Sequence, residues 1–206
     1  CALPISFCPA GHFLSKRLEN YGQNAIDFPG LTRDVGRLFL GVDLQCAQCH
    51  DHPQIDDYKQ YDFQGLFVVY SNLTRRTDTK FPAVAEKPLA KKVEFQSVFT
   101  SEKGATGPRI PFGMEFELVS FKAGEEYSIP PDKKTKFPGK LKFSPLEVIS
   151  ENLTKPDNRY FPRNAANRLW FAMMGRGLVH PLDLDHSDNA PSHPELLDLL
   201  ATELAA

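Results

Sequence analysis

A chain of 206 residues is long enough to bury a real core, as one large domain or two small ones. Its hydrophobic content of 41% and charged content of 24% are ordinary for a globular protein and exclude a disordered or fibrous chain. A formal charge of −2 offers no basic footprint for nucleic acid or an anionic membrane, and no apolar run approaches the ~20 residues that span a bilayer.

Residues 1–6 are set aside from fold reasoning as an artefact of assembly, and residues 195–206 read as a helix that stops without a C-cap. The chain therefore reads as an internal piece of a longer protein. Residues 12–28 are weakly helical, with Phe13, Leu14 and Leu18 as a short apolar stripe. Phe28-Pro29-Gly30 reads as a turn, followed by Thr32 as an N-cap and Asp34 in the first helical turn. Val35, Leu38, Phe39 and Val42 follow at helical spacing, so a helix of about ten residues leads to a break at Gly41.

Residues 56–70 carry Tyr58, Tyr61, Phe63, Leu66, Phe67 and Tyr70 near i, i+3, i+4 spacing. That is a second helix, its aromatic stripe read first as core. Prolines then break residues 72–145. Residues 93–99 and 116–121 are strand candidates, with Gly104 and Gly107-Pro108 in the connection between them, giving a small antiparallel sheet among loops. The lysine pairs Lys91-Lys92 and Lys133-Lys134 read as a solvated face.

From Leu146 the pattern is helical again. Leu146, Val148, Ile149 and Leu153 form a short amphipathic helix, and Asp157 or Asn158 can cap the next, which runs from Tyr160 to Met174. On it Phe161, Ala165, Leu169 and Met173 repeat every four residues and predict the buried face, with Asn164, Asn167 and Arg168 on another. Gly175 supplies the left-handed C-cap. Ser192-His193-Pro194-Glu195 reads as a capping box opening a helix on which Leu196, Leu200 and Leu204 recur. The expectation is an α+β fold with helical ends flanking a small antiparallel sheet and proline-rich loops, and not a cytochrome c fold. Its segments are 7–75, a connecting 76–144, and 145–206.

The densest chemistry lies in Cys46-Ala47-Gln48-Cys49-His50-Asp51-His52-Pro53. Two cysteines spaced C-x-x-C with histidine directly after form the attachment signature of c-type haem. Each thiol adds across one vinyl group, and the adjacent imidazole becomes the proximal axial ligand of the iron. Cys46 and Cys49 are thus the candidate anchors and His50 the candidate iron ligand. Two other readings compete. A zinc site draws on Cys46, Cys49, His50 and His52, but adjacent Cys49 and His50 converge poorly on one ion and no second ligand pair is in view. A redox dithiol normally opens a helix after a strand, whereas here the cysteines follow a helix. A disulfide scaffold is disfavoured, since Cys8 is the one cysteine left outside the motif once Cys1 is set aside.

Met173, Met174 and His180 are candidate sixth ligands, with His186 and His193 behind them. Asp51 is a candidate for orienting His50. Asp183, Asp185, His186, Asp188 and Asn189 form a polar cluster without the glycine and terminal glutamate of a calcium loop, and read as a solvated loop. A c-type haem also places a protein outside the reducing cytoplasm.

Two stretches carry a family resemblance. Arg37-Leu38-Phe39-Leu40-Gly41-Val42, running into the cysteine motif, resembles a planctomycete domain of unknown function found in large proteins that often carry a cytochrome c domain. Asn158 through Trp170, then Gly175-Arg176-Gly177-Leu178-Val179 and 189–197, is similar to the companion domain that follows it. The resemblance implies an exported, periplasmic bacterial protein whose haem c would serve electron transfer beside other domains of the same polypeptide, a cytochrome c domain among them. The alternative is a non-catalytic interaction or scaffold domain whose Cys/His motif holds a metal or a disulfide. The family supplies no reaction.

Overall fold

The computed structural model describes residues 9–20, 22–155 and 158–205. They form six α-helices and three separate two-stranded antiparallel sheets, an α+β arrangement as the sequence leads one to expect.

Helix α1 (Pro9–Arg17) precedes α2 (Phe28–Val35). The latter starts a turn before Thr32. Asp27 is the N-cap, its Oδ1 accepting from Gly30 N–H at 2.8 Å, and Pro29 loses nothing in a first turn whose N–H groups have no helical partner. Phe28-Pro29-Gly30 is therefore helix rather than a preceding turn, and Thr32 is buried inside it, donating to Phe28 O at 2.9 Å. The helix then widens into a π-helical turn, Gly36–Leu40, and ends at Gly41 in the left-handed region (φ 72°). A Cβ at Gly41 would stand 2.8 Å from Asn164 Oδ1, so both the turn and the approach of a distant helix require glycine.

Helix α3 (Gln60–Tyr70) is buried along most of its length, with Phe63, Leu66 and Val69 sealed from solvent. These side chains join Leu31, Val35, Leu40, Val42, Leu44, Tyr58 and Ile149 in the main core. The aromatic stripe is largely core, although Tyr61 stays exposed under the Arg109 guanidinium, 4.4 Å from its ring centroid.

Beyond α3, the single expected sheet is replaced by three hairpins. They pair β1 (Leu73–Arg75) with β2 (Val84–Glu86), β3 (Val93–Gln96) with β4 (Lys103–Thr106), and β5 (Tyr127–Ile129) with β6 (Lys140–Leu141). The strand expected over 116–121 does not form; Phe116 N–H instead bonds Pro108 O at 2.8 Å beside an isolated bridge of Arg109 to Glu115. Gly104 belongs to β4 and not to a connection. It pairs with Phe95, whose ring lies where a Cβ would stand, 2.5 Å away. Prolines cannot donate to a ladder, which keeps each hairpin short. Lys91, Lys92, Lys133 and Lys134 are exposed, with Lys92 paired to Glu115 at 2.6 Å.

Helix α4 (Pro145–Leu153) is capped by Ser144, whose Oγ accepts from Glu147 N–H at 3.0 Å. Helix α5 (Tyr160–Met174) begins under Asn158, whose Oδ1 accepts from Tyr160 and Phe161 N–H at 3.1 and 3.3 Å. The other candidate cap, Asp157, lies outside the described residues. Gly175 (φ 77°) ends the helix as expected.

The buried face of α5 is not the apolar one. Asn164, Ala166 and Asn167 point inward, while Leu169, Met173 and Met174 are exposed. Asn164 Nδ2 donates to Leu38 O at 2.8 Å and Arg168 Nη2 to Arg37 O at 2.7 Å, carbonyls at the irregular end of the α2 segment. Asn167 brackets Val179, donating to its O and accepting from its N–H, both at 3.0 Å. Helix α6 (Pro194–Ala205) packs on α5 and buries Leu197 and Ala201 in a second cluster with Ala166, Leu178 and Val179. Leu204 is exposed. Ser192 does not act as the box cap: its N–H bonds Leu178 O at 2.8 Å and its Oγ faces His193 Nδ1 at 3.1 Å.

The acidic loop over 183–189 is half-buried, with Ser187 and Asp188 exposed, but it is pinned to the fold. Asp183 pairs with Arg168, Asp185 N–H bonds Gly41 O at 3.0 Å, Tyr58 OH donates to Asp185 O at 3.1 Å, and Asp57 holds Ser187 N–H at 2.6 Å. Among the described residues no helix is long and apolar enough to cross a membrane.

Candidate functional site

The segment that follows Gly41 alternates in burial, with Val42 and Leu44 in the core and Asp43 turned out to meet Arg37 at 2.8 Å. This lands the chain in a single 3-10 turn, Cys46–Gln48, anchored by the fully buried Ala47. Cys49 and His50 N–H both bond Cys46 O, at 3.2 and 3.3 Å, so the turn closes on itself. Gln48 is tied down twice, its Oε1 accepting from Arg33 Nη1 at 2.8 Å and its carbonyl from Gln64 Nε2 of α3 at 3.0 Å. Cys46 is half-buried, Cys49 exposed, and both are free thiols.

His50 Nδ1 lies 2.6 Å from Asp51 O. A carbonyl only accepts, so Nδ1 is the donor of this contact, and Nε2 is the ring nitrogen left for a ligand role in the neutral imidazole. It is the main chain of Asp51, and not its carboxylate, that orients His50. The carboxylate instead caps α3, with Oδ1 accepting from Gln60 N–H at 2.8 Å and Oδ2 3.4 Å from Lys59 Nζ. His52 also serves the loop. Its Nδ1 accepts from Gln54 and Ile55 N–H at 3.2 and 3.0 Å, and burial, then the neighbouring His50, hold it below the ordinary histidine range. Of the five residues with side chains able to ligate in this motif, two thiols and one imidazole are therefore left available.

His50 lines an open cleft of about 580 Å³ with Tyr61, Phe95, Phe99, Thr100 and Lys103 among its walls. Neither cysteine lines it. Most of the cleft wall comes from the β3–β4 hairpin, whose tip meets the motif directly: Val98 N–H donates to Cys49 O at 3.1 Å, and the Phe99 ring sits 4.3 Å from that of His50. Sequence reading gave this hairpin no part in the site. Forty-nine residues separate His50 from Phe99, and no spacing rule marks such a contact.

The candidate sixth ligands are not gathered here. Met173 and Met174 are 71% and 60% exposed on α5, His180 is exposed in the loop after it, and none of the three lines the His50 cleft. Their reading as core-facing methionines fails because α5 turns its amides inward. His186 approaches Tyr58 edge-on at 5.9 Å, as His52 does on its own side at 5.9 Å. Among the described residues no group of three or more His, Cys, Asp or Glu side chains is arranged to hold a metal ion. The donor set fits covalent haem attachment: two free thiols at the right spacing, then an imidazole held through Nδ1 so that Nε2 is the nitrogen left over, and an aromatic-walled cleft beside it.

Residues 12–75 match the family model PSCyt2, a protein of unknown function (DUF1549), and residues 147–206 match PSD1, a protein of unknown function (DUF1553). The two matched stretches follow one another in the order the motifs suggested, and the β3–β4 hairpin lies between them. No curated protein and no solved structure matches the chain.

Proposed function

We propose that the chain is a c-type haem-binding electron-transfer module of a larger exported bacterial protein, with Cys46 and Cys49 as thioether anchors and His50 as proximal ligand. The observation that carries this reading is the way His50 is held. Its Nδ1–H is committed to Asp51 O at 2.6 Å, on a turn that also displays two free thiols. Bound haem supplies a one-electron redox centre. The chain's own residues hold its ligands: Ala47 roots the turn in the core, Gln64 and Arg33 fix Gln48, and the Asp51 carboxylate joins the motif to α3. The family resemblance supports a periplasmic setting and a cytochrome c domain of the same polypeptide as electron partner.

The test is expression with a periplasmic haem-maturation system. The expected product shows a Soret band and a mass increase of one haem, both lost in the Cys46→Ser, Cys49→Ser double variant. A colourless product of polypeptide mass overturns the reading.

A further inference from the structure

The tip of the β3–β4 hairpin makes two contacts that its own folding does not require. Val98 N–H reaches Cys49 O at 3.1 Å, and the Phe99 ring lies against the His50 imidazole with centroids 4.3 Å apart and planes inclined by 43°. Both residues are apolar and yet 65% and 74% exposed, so burial in a core does not explain where they sit.

The tip is built to hold that position. Ser97 is buried, and its Oγ accepts from Phe99 and Thr100 N–H at 3.3 and 3.4 Å. Ser101, in the left-handed region at φ 58°, returns its N–H to Ser97 O at 3.2 Å, and Ser97 N–H closes on Glu102 O at 2.9 Å. Behind the tip, Gln60 Nε2 donates to Gln96 O at 3.2 Å, tying the hairpin to the same helix terminus that the Asp51 carboxylate caps. The hairpin and the cysteine turn are thus fixed to one another from both ends.

A single hydrogen bond from Nδ1 to Asp51 O leaves an imidazole free to tilt about that bond. The tilted Phe99 ring, in contact with the imidazole, restricts that motion. We propose that Phe99 is a positioning residue for His50, the hairpin tip acting as a clamp that sets the plane of the imidazole. The inference rests on the haem reading for its purpose: the plane of an axial imidazole is one of the means by which a protein sets the electronic state of the iron. It adds that the segment between the two matched domains is part of the site and not a passive connection.

The test uses Phe99→Ala and, as conservative rescue, Phe99→Tyr. In the haem-free chain, nuclear magnetic resonance is expected to show a through-space cross-peak between the Phe99 and His50 rings. Phe99→Ala loses it and shifts the carbon-bound His50 ring protons as the ring current disappears, whereas Phe99→Tyr keeps both. In haem-loaded protein, Phe99→Ala is expected to change the spread of g values in electron paramagnetic resonance at unchanged haem content, and Phe99→Tyr to restore it. A wild-type chain without the cross-peak, or loaded Phe99→Ala with the wild-type spectrum, overturns the clamp. A wild-type chain that takes up no haem sinks the haem reading instead, and the first arm then decides by itself whether Phe99 orients His50.

Discussion

Helices α3 and α5 lie about ninety residues apart in the chain, and both carry apolar residues at helical spacing, but they bury different faces. Helix α3 sits among α2, α4 and the β3–β4 hairpin, so nearly every side is covered and its apolar residues have nowhere else to go. Helix α5 packs on α6 through the small Ala166, and its inward amides face the irregular end of α2 and the loop to α6, where Leu38 O and the backbone of Val179 take them as partners. A buried unpartnered carbonyl or N–H costs about 1–3 kcal/mol, more than one partly buried Met or Leu returns, so the amides win the inward face. Apolar spacing locates a helix; the unmet hydrogen bonds of its neighbours choose the face.

The comparison is broken most forcefully at α3. Phe63→Ala, at a side chain sealed from solvent and stacked on Phe67 at 5.9 Å, is expected to destabilise the fold by about 3–5 kcal/mol in urea denaturation. A loss near that of a surface change would show that α3 is not the core element described above.

A smaller effect is expected on α5. Asn167→Ala removes both partners of Val179 within a buried pair and is expected to cost about 1–3 kcal/mol, while Met173→Ser on the exposed face stays within about 0.5 kcal/mol. Equal losses for the two would mean that the apolar face is the one that packs.

The third test sharpens what α3 tolerates. Asp62 is buried on it, with Oδ1 accepting from Phe112 N–H at 3.2 Å and Oδ2 without a partner. Burial raises its carboxyl from the ordinary 3.8 to about 7, against the weaker pull of the Phe112 N–H and of Arg109. A raised acid binds its proton more tightly folded than unfolded, so its contribution to stability is complete below 3.8 and fades as pH rises to about 7. Asp62→Asn is expected to flatten that decline in a series of denaturation curves across the window. An unchanged slope would remove Asp62 as its source.

Much of the site was legible before any fold was known. The C-x-x-C-H spacing, the arrest of the preceding helix at Gly41 and the aromatic helix behind it are local signals, and each is met by a local device: the left-handed glycine, the 3-10 turn, the capped α3. The polar face of α5 also had a signal. Asparagine is a weak helix former, and Asn164 and Asn167 within one helix fit best where their amides find partners. The capping of α2 by Asp27 was missed because Phe28-Pro29-Gly30 reads as a turn, although proline suits a first helical turn.

By itself the sequence determined the candidate ligand types, their spacing and the α+β class, because these follow from covalent order and from periodicities a few residues long. Only the tertiary structure decided that the Asp51 carboxylate caps a helix while its carbonyl holds His50 Nδ1, that Met173, Met174 and His180 stand away from the cleft, and that a hairpin tip from the middle of the chain rests on His50. Those outcomes depend on which distant backbone groups need partners and which surfaces close over them, and no short-range pattern records either.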